Sequence, residues 1–195
     1  MRIFVDMDDI LVNLLDEWLI HLNKYRGVIP KTKEDIDAWD MSTHYPTLTD
    51  YQLYRCLSDP DFWERVQPVP GAYKNLKRLK DDGHEIYVAT SSYPLSFWVK
   101  TEHCLFKHFD FLTPKNVICI NNKSLLDGDI MYDDYHENLR KFKGIKVLRN
   151  KPYNTNVDTP YVDFRVDTWE EFYEIVKELN KLKENYIGWI KYKYV

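Results

Sequence analysis

Cysteine is scarce in this 195-residue chain: Cys56, Cys104 and Cys119 are far apart, and no C-x-x-C pair occurs. A disulfide framework and a zinc site are both disfavoured, and a reducing compartment is favoured. No block of Lys/Arg dominates the chain, and its formal net charge is −4. That balance argues against a large footprint on a nucleic acid polymer. No run of 18 apolar residues is present, and the N-terminus enters MRIFVDMDD without a charged leader. The expectation is a cytoplasmic protein with neither membrane span nor export signal. Internal repeats and low-complexity stretches are also missing. What is present is a hydrophobic fraction of 44% and an aromatic fraction of 15%. This is a globular composition, with enough chain for one full core and a small insertion.

Ile3, Phe4 and Val5 form a short, continuously apolar run that ends in acids, the pattern of a buried parallel strand. Ile86–Ala89, Val117–Ile120, Ile130–Tyr132 and Ile145–Leu148 repeat it, and Tyr161–Val166 does so more weakly. Helical patterns lie between them. Ala72, Leu76 and Leu79 share a face within Pro70–Gly83, and Gly83 stands at the C-cap position. Pro94–Lys107 opens with a proline suited to a first turn. Thr168–Lys183 opens on a Thr168/Glu171 capping box, with Phe172, Ile175, Val176, Leu179 and Leu182 on one stripe. Alternating strands and helices predict an α/β fold with a doubly wound, Rossmann-like parallel sheet. Residues 14–70 interrupt the rhythm: helical from Leu14 to Tyr25, then polar and aromatic without a convincing strand. They are predicted to be a helical cap inserted after the first strand. The core is then residues 1–13 and 71–195. The aromatic, basic stretch Asn185–Val195 is compatible with packing on the body, pairing with a partner or lying in solvent.

Four chemical signals fall at predicted strand ends. Asp6 and Asp8 follow the first strand, and ligands of open α/β sheets bind beyond the carboxyl ends of strands. Two carboxylates so placed repel and call for a cation, a proton or both; magnesium prefers such oxygen donors. Metal-neutralised phosphate is open to attack by one carboxylate, and the second acid can protonate the leaving oxygen. A helix cap is the competing reading, and Asp9 alone would supply it. The second strand runs into Thr90, Ser91 and Ser92, whose hydroxyls and backbone N–H groups suit phosphate or a helix cap equally. Lys123 lies just past the third strand, where it would neutralise phosphate and nucleophile; Lys115 and Lys100 compete with it. The fourth strand ends in Asp133 and Asp134. Asp134 with Glu137 also makes a helix start, whereas Asp133 favours a metal ligand.

This order of acids, hydroxyl, lysine and acids resembles the haloacid dehalogenase superfamily of phosphotransferases across nearly the whole chain. Within it, VDMDDILVN, DPDFWERVQPVPGAYKNLKRLKDDGHEIYVATSS and NKSLLDGDIMYDD are most similar to the 5′(3′)-deoxyribonucleotidases. The resemblance implies that Asp6 attacks phosphorus to form an aspartyl-phosphate and that Asp8 is general acid, then base. It implies Mg2+ held by Asp6, the backbone carbonyl of Asp8 and Asp133, with Asp134 in support. Thr90 and Lys123 would bind the phosphoryl oxygens, with Ser91 beside them. Two positions depart from the family: Asp9, where glycine is frequent, and Tyr135-His136 after the fourth motif.

The insertion carries Trp18, Tyr25, Trp39, Tyr45, Tyr51, Tyr54, Phe62 and Trp63. Aromatic faces can stack on a nucleobase or can form the core of a small cap. Phe62 and Trp63, inside the family-like stretch, are the leading candidates for base contact. His136 lies near the predicted site. The reading is a magnesium-dependent phosphomonoesterase for nucleoside monophosphates, compatible with a homodimer. A phosphatase for another small ester, such as a sugar phosphate, and a non-catalytic nucleotide-binding module are the alternatives.

Overall fold

The computed structural model describes residues 1–193, and side chains through residue 183. Six parallel strands form the sheet: β1 (Arg2–Val5), β2 (Glu85–Thr90), β3 (Val117–Cys119), β4 (Ile130–Asp133), β5 (Ile145–Arg149) and β6 (Phe164–Val166). Their spatial order is β3-β2-β1-β4-β5-β6. The chain moves outward from β1 through β2 to β3, then returns to the other side of β1 at β4. Connections therefore diverge between β1 and β4, which opens a crevice at their carboxyl ends. Register aligns Val5 with both Val88 and Tyr132. Asp6, Thr90 and Asp133 consequently emerge at the same end of three neighbouring strands.

Burial explains the strand sequences. Ile3, Val5, Val88, Ile130 and Tyr132 are buried in the main core, while Phe4, Ala89 and Met131 pack on the opposite sheet face. Both faces are covered, so the central strands are apolar throughout. At the β6 edge only Val166 of the strand is buried, which is why its signal in sequence is weak.

The helix Ala72–Asp81 ends as predicted at Gly83, whose φ of +84° suits a residue without Cβ. Gly83 N–H donates to Lys80 O and His84 N–H to Leu79 O, closing the last turn. The expected single helix Pro94–Lys107 is instead three pieces: Pro94–Lys100, a π-helical turn Thr101–Leu105, and Phe106–His108. Thr101 Oγ1 donates back to the carbonyls of Phe97 and Trp98 in the preceding helix. The final helix, Trp169–Lys193, carries the predicted box. Glu171 N–H donates to Thr168 Oγ1, and Glu171 Oε2 accepts from the N–H groups of Asp167 and Thr168. Phe172 and Val176 are buried, but Leu182 is 65% exposed, so the packed stripe ends near Leu179. How the side chains of Asn185–Val195 pack lies outside the described residues. No helix among the described residues is long and apolar enough to cross a membrane.

Residues 14–70 hold short helices, Leu14–Leu22, Met41–His44, Asp50–Tyr54 and Pro60–Arg65, joined by turns. Their apolar side chains divide in two. Leu15, Leu19, Leu22, Ile36, Met41, Tyr45 and Leu53 form a small core closed by Tyr153. Cys56, Phe62, Trp63, Val66 and Val69 belong to the main core under the sheet.

Candidate active site

Asp6 leaves β1 with its N–H donating to Tyr132 O, which fixes it beside the end of β4. Lys123 opens the 3-10 turn Lys123–Leu125 after β3, and Asn122 Oδ1 caps that turn by accepting from Ser124 N–H. Lys123 Nζ lies 2.5 Å from Asp6 Oδ1 and 2.6 Å from Asp133 Oδ2. All three groups are buried. Burial alone would lower the ammonium's pKa, but the two carboxylates outweigh it and raise it. Lys123 is thus a fixed positive charge between two acids from different strands.

Asp133 is also held by its own turn: Oδ1 accepts from Tyr135 N–H at 2.8 Å, and Asn138 Nδ2 reaches the carboxylate at 3.1 Å. Burial pushes its carboxyl up to about 6 despite the opposing Lys123. Asp133 keeps its place beside Asp6 in a group that could hold a metal, and Asp134 joins them. Asp133 caps the turn into the helix His136–Arg140, while Asp134 turns inward, where Tyr153 Oη–H donates to its Oδ2. Asp134 is 1% exposed, and burial followed by the charges of Asp133 and Asp6 raises its carboxyl far above the ordinary range. Its Oδ1 has no hydrogen-bond partner among the described residues. Asp6, Asp133 and Asp134 each offer a carboxylate oxygen within 4.8 Å of the others.

Asp8 points to another neighbour. Lys100 Nζ lies 2.6 Å from Asp8 Oδ2 and 2.7 Å from Thr90 Oγ1, joining the first motif to the end of β2. Burial raises the Asp8 carboxyl, with Lys100 opposing. Ser91 is exposed, and its hydroxyl donates to Asn121 Oδ1 at 2.6 Å. Asp9 adopts φ +57°, left-handed backbone that Asp tolerates better than most residues. Its carboxylate accepts from Leu15 N–H at 3.3 Å, capping Leu14–Leu22, and lies 3.5 Å from Lys151 Nζ. Five carboxyl groups, of Asp6, Asp8, Asp9, Asp133 and Asp134, thus face three lysines.

These groups open into a cleft of about 490 Å3 lined by Asp6, Asp8, Asp9, Ser91, Lys123 and Asn138, with Trp18, Trp39, Tyr54 and Tyr153 as aromatic walls. The two aromatics expected to touch a base are corrected. Phe62 is fully buried, its ring packed edge to face against His21 and Trp63. Trp63 is 1% exposed, its indole N–H committed to Leu57 O and its ring 5.8 Å from Lys100 Nζ. Both rings belong to the main core, and Trp63 also lines a smaller cavity that it shares with Asp8 and Ser91. Trp39 takes the open position, stacked on Tyr135 at 4.2 Å and edge-on to Tyr153. His136 turns to Tyr161 Oη at 3.0 Å, outside the cleft lining. Lys115 is exposed on a distant turn.

Sequence reasoning passed over Lys151, Tyr153 and Asn138, and treated Lys100 merely as a rival of Lys123. Asn138 was within reach, one turn after the fourth motif. Lys100 and Lys151 are set 92 and 142 residues from their acids, and no local pattern marks them.

The chain matches the family described as 5′ nucleotidase, deoxy (Pyrimidine), cytosolic type C protein over residues 1–182. It is 35% identical over 171 residues to the 5′(3′)-deoxyribonucleotidase of Bacillus subtilis, covering 87% of this chain and 94% of the relative. Among solved structures, a haloacid dehalogenase-like hydrolase from Streptococcus pneumoniae superposes with a TM-score of 0.65 at 14% identity. That match covers 90% of this chain and 97% of the other. A haloacid dehalogenase-type hydrolase of Bacillus subtilis, solved bound to magnesium, gives 0.58 at 13% identity, over 89% and 97%.

Proposed function

The chain belongs to the deoxy-type 5′-nucleotidase family of haloacid dehalogenase-fold phosphoric monoester hydrolases, and on that premise we propose that it hydrolyses (deoxy)ribonucleoside monophosphates through a phosphoryl group carried on Asp6. The observation that supports this most directly is Lys123 bridging Asp6 and Asp133 at the crevice where β1 and β4 diverge.

Asp6, Asp133 and Asp134 fit a magnesium ion. They are hard oxygen donors within 4.8 Å of each other, and Asp134 Oδ1 is buried without a partner. The Asp8 backbone carbonyl is a further candidate donor. The ion would supply charge neutralisation of the phosphoryl oxygens. Asp6 is the nucleophile and is held at one oxygen by Lys123. Asp8, with a raised carboxyl pKa, gives a proton to the departing nucleoside oxygen, then takes one from the attacking water. Lys100 keeps Asp8 and Thr90 in one arrangement, and Lys123 offsets negative charge on the Asp6 carboxylate and the phosphoryl oxygens. Ser91 lines the same cleft and would offer its hydroxyl to a phosphoryl oxygen. Trp18 and Trp39 line the same cleft and offer faces to a base, in place of Phe62 and Trp63. We place the cap proper at about 14–53, the part whose apolar groups form the smaller core.

Purified protein is expected to release phosphate from dUMP or dTMP with Mg2+ and to stop when EDTA is added. Asp6→Asn should lower kcat by about a thousandfold or more. Full activity in that variant would exclude Asp6 as nucleophile. Turnover confined to sugar phosphates would retain the chemistry and reject the nucleotide substrate.

A further inference from the structure

Far from the catalytic cleft, the final helix carries its apolar stripe past the body it packs on. Phe172 and Val176 are buried, whereas Ile175 and Leu179 are only partly covered by the main core. With the exposed Leu182, and with Phe164 of β6, they line a groove of about 530 Å3. β6 pairs with β5 alone, so the groove lies at a sheet edge with no further strand among the described residues. A contiguous apolar surface at a free edge calls for a cover. The groove's rim is acidic. Glu174 and Glu178 line it, bound only through exposed i,i+3 pairs to Lys177 and Lys181, which are weak and exchangeable. Arg165 also lines it, but its guanidinium is committed to Asn150 Oδ1, Asn154 O and Thr159 Oγ1.

We propose that the groove is covered by a second copy of this chain, its final helix lying antiparallel to the first with Leu182 near the two-fold axis. Three features of the chain select this occupant. The three-and-four spacing of Ile175, Leu179 and Leu182 continues in the sequence at Tyr186 and Trp189, the repeat of a helix-pairing seam. Residues 183–195 lie beyond the family match, which ends at residue 182, so this half of the seam is the chain's own. Charge is divided along the helix. Its first half carries Glu170, Glu171, Glu174 and Glu178 against Lys177 and Lys181, and its second half Lys183, Lys191 and Lys193 against Glu184. Antiparallel pairing sets acidic halves against basic ones, whereas parallel pairing would oppose like with like. The chain's own second half cannot serve. The helix is continuous from Trp169 to Lys193, so it runs on about 17 Å past Leu182 instead of returning to the groove. A two-fold axis makes the contact self-complementary and covers both grooves at once.

Sedimentation equilibrium of the full chain at micromolar concentrations should give twice the chain's mass. A monomer throughout would overturn the proposal. Leu182→Glu brings two like charges together near the axis and should raise the dimer's Kd about a hundredfold or more. Leu182 is 65% exposed in the single chain, so this variant keeps its core, which circular dichroism checks. A dimer that Leu182→Glu leaves intact would have its interface elsewhere, and the proposal would fall. The direction of the helices is read separately, from a spin label on Glu174→Cys in a Cys119→Ser background. Label-to-label distance should be about 20–30 Å, from the helical rise over the residues between each label and the axis. A distance of about 10 Å, the spacing of parallel helices in register, would refute the antiparallel arrangement.

Discussion

At the scale of single residues, two aromatics of the insertion have opposite tasks. Phe62 is sealed in the core, whereas Trp39 is 47% exposed and lines the cleft. Phe62→Ala should therefore destabilise by about 3–5 kcal/mol, read from denaturant unfolding. Trp39→Ala should leave the midpoint nearly unchanged and raise KM for a nucleotide by roughly tenfold, given about 1–3 kcal/mol per stacked base. The reverse pattern would return base contact to Phe62. Lys100 is a positioning residue in this scheme, since it acts through Asp8 and Thr90. Lys100→Met keeps the stem and deletes the charge. It should lower kcat by about a hundredfold, the range of lost acid–base assistance. It should also shift upward the limb of the pH–rate profile that Asp8 sets as general acid, the alkaline one, because Lys100 opposes the burial that raises Asp8. An unmoved profile would restrict Lys100 to packing.

Among the elements, the π-helical turn Thr101–Leu105 decides where the preceding helix ends and so where Lys100 sits. Its wider ring leaves Phe106 N–H bonded to Thr101 O, five residues back. The same turn buries Cys104 completely. Burial pushes the thiols of Cys104 and Cys56 up to about 12, so both remain protonated near pH 8. Cys119, at the end of β3, is exposed. Native protein should therefore give one fast-reacting thiol toward a chromogenic disulfide reagent, and three after denaturation. Rapid modification of Cys104 in the native state would mean that the π turn opens readily.

For the molecule as a whole, the site is a concentration of buried acids that stability must absorb. In the metal-free chain Asp133 titrates near 6, above the roughly 3.9 of an unfolded aspartate. Between those values the unfolded chain binds fewer protons than the native one, so stability falls as pH rises through that window. Above about 6 the whole penalty of the buried charge is present. A cation bound at the carboxylates offsets it. The Mg2+-induced rise in Tm should thus be larger near pH 7.5 than near pH 5, measured by calorimetry with EDTA as the blank. Equal shifts at both pH values would separate the metal from Asp133.

The sequence by itself determined the strands and their end chemistry. Short continuous apolar runs bounded by turn residues suit the middle of a sheet covered on both faces, and Asp6, Thr90 and Asp133 follow such runs directly, while Lys123 lies four residues past the end of β3. The capping box at Thr168 and the stop at Gly83 were legible for the same reason: their causes lie within a few residues. Tertiary structure decided what depends on distant partners. Lys100 and Lys151 meet their acids across long chain separations, and Tyr153 reaches Asp134 from beyond β5. Whether an aromatic ring faces a cleft or a core depends on how its short helix packs, which composition and period leave open. Local hydrogen bonding and burial are written into neighbouring residues, whereas side-chain convergence on one point is a property of the closed fold.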